Sequence, residues 1–235
     1  MFLSLKAGAK KSPSASLRAE VVVCPPFVYL TEAVKSLKGS RIKFGAQDCS
    51  LVEGGAHTGE VSGAMLKSIG VKFIILGHSE RRALGETNEM ITGKIKIALK
   101  NNLTPIVCLG ETLEQRKDKK TFAILEGQLK ETIGWLGSTQ IKRVIIVYEP
   151  TWAISANKVQ ACPVDEALTV ILFLRKLLAR MAGIKAISAI PILYGGSVNN
   201  QNIKDYLQLD AISGLLVGAA SLDIKGFLKI IDSGV

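Results

Sequence analysis

A histidine and a glutamate, each placed at the end of a run of branched apolar residues, carry the clearest chemistry in this sequence. His78 stands in Ile75–Arg82, ILGHSERR, and Glu149 in Tyr148–Ile154, YEPTWAI. Residues at the carboxyl ends of parallel strands face the edge of the sheet where α/β barrels place their reactive groups. A carboxylate and an imidazole at such an edge make a base and an electrophile, so the chain reads as an enzyme. Glu149 precedes Pro150, which predicts a carboxylate projecting into the mouth at the start of a loop. Ser79–Arg82 begin a helix, so the His78 ring lies near a helix N-terminus, whose positive end disfavours imidazolium.

The elements that position these two residues follow from the hydrophobic pattern. Runs rich in Val, Ile and Leu recur at Glu20–Val23, Ile42–Ala46, Phe73–Leu76, Pro105–Leu109, Val144–Tyr148, Ile190–Tyr194 and Leu215–Val217. They are apolar on both faces rather than alternating, as expected of a parallel sheet covered by helices, and amphipathic stretches between them supply the covers. The sharpest helix is predicted over Pro163–Met181: proline occupies the first turn, Asp165 and Glu166 complement the dipole, and Gly183 follows the end. Thr87 or Asn88 caps another that runs to Lys100. No Pro- or Ser-rich linker interrupts the βα alternation, and 235 residues fit a single domain over residues 1–235.

Composition narrows the function. Only two histidines are present, and neither has ligand spacing with a cysteine, so we expect no metal. Cys24, Cys49, Cys108 and Cys162 form no CxxC pair and read as small buried hydrophobes rather than a disulfide framework. The net charge of +10 is spread along helical segments, with short clusters at Lys10–Lys11 and Lys117–Lys120; we read it as solvated helix faces, not a nucleic-acid surface. It also favours long-range attraction of a phosphorylated metabolite. No apolar run approaches the ~20 residues of a membrane helix, and the start lacks a secretory pattern. A cytoplasmic location is therefore expected.

ILGHSERR and YEPTWAI are joined by YGGSV at Tyr194–Val198 and GLLVGAASL at Gly214–Leu222. VVVCPPFVYL at Val21–Leu30, GAQDCS at Gly45–Ser50, GAHTGEVS at Gly55–Ser62 and VCLGET at Val107–Thr112 accompany them. In this order, over about residues 17–232, the segments resemble the triosephosphate isomerase family. The resemblance implies a (β/α)8 barrel that interconverts dihydroxyacetone phosphate and glyceraldehyde 3-phosphate through an enediolate, without a cofactor. It assigns Glu149 as the base and His78 as a neutral electrophile, this family being itself the reference case for that pairing. By resemblance Glu80 sits near the site, where a first-turn carboxylate complementing the helix dipole is the equal alternative. Phosphate is expected on main-chain N–H groups of Ser155, Ser197, Gly218 and Ala219, the last two at a helix start. Pro150, Trp152 and Asn157 are the implied hinge elements of a lid. Gln47, Asp48 and the loop Glu53–Glu60, with Thr58 reaching across, are the implied homodimer interface, a solvated surface loop being the alternative; His57 has a loop or interface role, and Arg81 and Arg82 pair with carboxylates such as Glu86 or reach a partner.

The sequence also departs from the family. The Asn-x-Lys turn that places a lysine beside the substrate is not found after any strand, and MFLSLKAGAKKS resembles the tail of the first helix. We therefore expect seven strands, a vacant position between Glu20–Val23 and Leu215–Val217, and weak isomerase activity, since Lys6, Lys10 and Lys11 lie away from the mouth. The lid reads Ala153–Lys158, AISANK, where the family has AIGTGK, and Ala219 replaces a glycine. Asn157 tolerates positive φ, whereas Ser155 lacks a glycine's freedom. The competing readings are a degenerate, non-catalytic barrel homologue and another phosphosugar barrel enzyme, an epimerase or aldolase. The last would want a metal or a Schiff-base lysine.

Overall fold

The computed structural model describes residues 1–11, 19–154, 161–199 and 201–233. Among these residues seven strands form one parallel sheet in the order β1 to β7: Val22–Val23, Lys43–Ala46, Phe73–Leu76, Thr104–Leu109, Ile145–Tyr148, Ile192–Tyr194 and Gly214–Leu215. Among the described residues ten α-helices connect and flank them: α1 (Phe2–Lys11), α2 (Phe27–Leu37), α3 (Gly63–Ser68), α4 (Ser79–Ala83), α5 (Asn88–Lys100), α6 (Leu113–Lys117), α7 (Thr121–Ile133), α8 (Val164–Ala182), α9 (Ile203–Leu207) and α10 (Ile224–Ser233). The sequential parallel order is that of a barrel wall, with β1 and β7 as its two ends.

The strands bury both faces by strict alternation. Phe73, Ile106, Cys108 and Val147 form an inner cluster with Ile75, Ile145 and Leu193. Their neighbours Ile74, Leu76, Val107, Leu109, Ile146 and Tyr148 join the outer cluster, packed under the helices. Because successive side chains point to opposite faces, one continuous apolar run serves both layers. Thr87 caps α5 through its side chain, and α8 starts one residue after Pro163, as the capping signals predict.

The two end strands are shorter than the apolar runs that mark them: Val22–Val23 against Glu20–Val23, and Gly214–Leu215 against Leu215–Val217. Each has a partner on one side only, and hydrogen-bonded pairing, not composition, sets a strand's length. Met1–Lys6 does not act as a strand. It belongs to α1, whose Phe2 and Leu5 pack with Ala33, Leu37, Ile42 and Ile231. Lys6 Nζ donates to the carbonyls of Ser36 and Lys38 at the C-terminal end of α2, where a cation complements the helix dipole.

Candidate active site

His78 and Glu149 leave different strands and meet. β3 ends at Leu76, and Gly77 adopts φ +72°, a left-handed conformation that costs glycine little and a β-carbon much. A side chain there would also press on Ile91, Arg82 and the Cys108 carbonyl. The turn makes His78 the N-cap of α4: its Nδ1 accepts from the Glu80 N–H at 3.3 Å. Nδ1 is thus an acceptor, and the ring proton lies on Nε2, which is 2.8 Å from Glu149 Oε1.

Glu149 follows β5 and its N–H donates to the Leu109 carbonyl at 2.8 Å, so the ladder with β4 continues one residue past the strand. Gly110 makes this approach feasible, because any β-carbon on it would overlap the Glu149 carbonyl. The Glu149 side chain is 3% exposed. It leans onto the start of α4, at the carboxyl edge of β3. There Oε2 accepts from the Ser79 N–H at 2.9 Å and Oε1 from the Ser79 hydroxyl at 3.0 Å. A buried carboxylate must find donors, and the orphan N–H at a helix N-terminus is the nearest set.

This contact acts against the helix-end effect that disfavours imidazolium. Burial works to lower the His78 pKa, but the hydrogen bond and charge of Glu149, with a smaller contribution from Glu80, outweigh it, so the pKa is raised. The helix-end position, read alone from sequence, omitted the carboxylate at 2.8 Å. Donation from Nε2–H to any other acceptor requires Glu149 to move away, which is also what a base reaching a substrate carbon must do.

The Glu80 carboxylate points outward, 78% exposed, with Oε2 3.9 Å from His78 Nδ1. Arg81 pairs with Asp48 at 3.0 Å. Arg82 bonds the carbonyls of Gly77 and Cys108 and the Asn88 side chain, so the expected pairing of Arg82 with Glu86 is replaced by support of the His78 turn. Glu86 instead accepts from the Gly77 N–H at 3.0 Å and pairs with buried Lys94, which also holds Asp48 at 2.7 Å. Ser79 and Lys94 were not singled out by sequence, and Glu86 was named only as a partner for the arginines. The serine after the histidine was the one visible signal; the lysine's partners are remote in the chain.

Pro150, Trp152, Ser197, Gly218 and Ala219 follow strands β5, β6 and β7 on the same carboxyl edge. Ser197 follows β6, and its N–H donates to the Ala153 carbonyl at 2.9 Å, so an anion using it must take that donor from the carbonyl. Gly218 and Ala219 follow β7 and are exposed. They start a 3-10 turn, Ala219–Leu222, instead of an α-helix, because α10 begins only at Ile224. Pro150 is buried and leads a 3-10 turn over Thr151–Ala153. Trp152 is fixed within it: Nε1 donates to Glu111 Oε1 at 2.9 Å and Arg116 stacks 4.1 Å from its ring. Glu111, fully buried, also takes the Tyr148 hydroxyl at 3.2 Å and was missed by sequence reading. Ser155 and Asn157 lie outside the described residues.

Gln47 and Thr58 are exposed; Gln47 Nε2 donates to the Cys24 carbonyl, and the loop bearing Thr58 closes on itself through Ser50 N–H to the Val61 carbonyl. His57 is likewise exposed on that loop. Among the described residues no three His, Cys, Asp or Glu side chains cluster as a metal site, and no helix is long and apolar enough to cross a membrane. Burial pushes the Cys49 and Cys162 thiols up to about 12, which leaves them protonated and unsuited to nucleophilic work.

A family model described as triosephosphate isomerase matches residues 3–234. The triosephosphate isomerase of Thermoanaerobacter pseudethanolicus is 46% identical over 216 residues, covering 92% of this chain and 86% of that protein. That of Carboxydothermus hydrogenoformans is 45% identical over 217 residues, with the same coverage. The crystal structure of triosephosphate isomerase from Bartonella henselae superposes with a TM-score of 0.84 at 31% identity, covering 98% of this chain and 90% of that one. With a carboxylate and an imidazole brought together from β5 and β3 at the carboxyl edge of a parallel barrel wall, and with these relatives, the chain belongs to the triosephosphate isomerase family.

Proposed function

We propose that the chain, as one barrel domain, interconverts dihydroxyacetone phosphate and glyceraldehyde 3-phosphate. The observation that carries this is the buried Glu149 carboxylate 2.8 Å from His78 Nε2. Glu149 removes a proton from the substrate carbon and returns it to the neighbouring carbon. His78 Nε2–H donates to the oxygen on which negative charge develops, and stabilising that charge with a preorganised donor lowers the barrier. In the resting geometry Glu149 is held by Ser79 and His78, so these donors park the base until substrate draws it out. Phosphate rests against the main chain at Ser197 and at Gly218–Ala219, where a β-carbon on Gly218 would meet open space, with Ser155 completing the anion contacts. The degenerate and other phosphosugar readings lose ground to the intact pair. The test is turnover of glyceraldehyde 3-phosphate by the chain purified from an isomerase-null host, beside Glu149→Gln. We expect turnover in the parent and none above background in the variant; equal rates would refute the assignment of the base.

For assembly, we infer a homodimer through the Glu53–Glu60 loop, with Gln47 and Thr58 at the contact. Phe27, Val28, Tyr29, Met65 and Leu84 stay exposed on segments that follow β1, β2 and β3, and apolar exposure of this kind marks contact surfaces. Sedimentation of the parent and of Thr58→Glu tests it: a dimer that dissociates in the variant is expected, and a monomeric parent would refute the inference.

A further inference from the structure

Tyr206, in α9, is 1% exposed and takes no part in the chemistry above. Its hydroxyl donates to the Cys162 carbonyl at 2.6 Å, directly ahead of Pro163, the cap of α8. Its ring stacks on Tyr194 at 4.2 Å between centroids and 15° between planes, and the two hydroxyls lie 3.4 Å apart. With the Tyr206 proton committed to Cys162, the Tyr194 hydroxyl is the one left to donate between them. Tyr194 ends β6 and packs against Gly196 so closely that a β-carbon there would overlap its ring. The next residue is Ser197, whose N–H faces the Ala153 carbonyl. A tyrosine buried this deeply needs a partner for its hydroxyl, and here the partner lies on a different element from the one its ring supports.

We propose that Tyr206 is a positioning residue for anion binding, locking the Tyr194–Ser197 turn to the start of α8 so that the Ser197 N–H is held in place. This rests on the phosphate role proposed above. A side chain that only filled the core would affect stability; one that aims a donor affects the affinity of the phosphate group as well.

The experiment compares the full chain with Tyr206→Phe, which keeps the stack and removes the hydroxyl, and Tyr206→Leu, which removes both. It measures KM and kcat, and separately the affinity for inorganic phosphate by calorimetry. For Tyr206→Phe we expect KM and the phosphate Kd to rise together by about three- to tenfold, the equivalent of one net hydrogen bond, with kcat within about twofold. Tyr206→Leu should weaken both further; if it fails to fold, the Phe variant decides alone. A parent that binds phosphate beside a Phe variant with unchanged KM and Kd and a lowered melting temperature overturns this proposal only. A parent that binds no phosphate overturns the phosphate site itself and this proposal with it.

Discussion

The middle of the sheet and its two ends behave differently. From β3 to β5 the strands pair over four residues at each step, and the backbone bond from Glu149 to Leu109 carries the ladder beyond the last strand residue. β1 and β7 pair over two residues each and have one neighbour. The reactive pair hangs from the well-paired side, where backbone is fixed on both flanks, whereas the Gly218–Ala219 turn hangs from an end strand. A site assembled from both joins a well-paired half to a less constrained one, and unpaired edges expose backbone donors and acceptors.

The largest expected effect comes from altering the ends. Placing a strand that bears an Asn-x-Lys turn ahead of Phe2 should raise turnover by about a hundred- to a thousandfold. One preorganised electrostatic donor in a water-excluded site is worth that much. Equal, fast turnover with and without the added strand would show that neither the strand nor the lysine matters here.

In the middle, His78→Gln should reduce kcat by on the order of a hundredfold and leave substrate affinity less affected, because the imidazole acts on charge that develops in the transition state. A variant with unchanged kcat and raised KM would assign His78 to binding instead. The same contrast should show in folding. Ile74→Ala, at a fully buried site on β3, should cost about 2–5 kcal/mol, and Val22→Ala on half-buried β1 under about 1 kcal/mol. Similar losses in urea denaturation would erase the distinction between the two regions.

The smallest effect is on the pH dependence of stability. The His78 pKa is raised in the fold, so its contribution is fully present below the unfolded value of about 6.5 and is lost as pH rises through the folded value. The stability gap between the parent and His78→Gln should therefore narrow as pH rises across that window. A gap that widens would mean that the imidazole is not held by Glu149.

How much of this was legible from sequence depended on whether the information was local. The seven apolar runs, the caps at Thr87 and Pro163, and the placement of His78 and Glu149 after strands rest on short-range patterns, and all reappear in the fold. Gly77 and the serine at position 79 were in view, but their tasks were not: one requires the left-handed turn, the other a carboxylate seventy residues on in the chain. Tertiary structure alone decided that Glu149 docks on α4, that the His78 pKa rises instead of falling, that Arg82 braces carbonyls, and that Glu111 and Tyr206 anchor the segments around the site. The physical reason is common to all of them. A one-dimensional pattern tells a residue which face it occupies, but a buried carboxylate, guanidinium or phenol must find its partner among whatever the fold brings within hydrogen-bond reach.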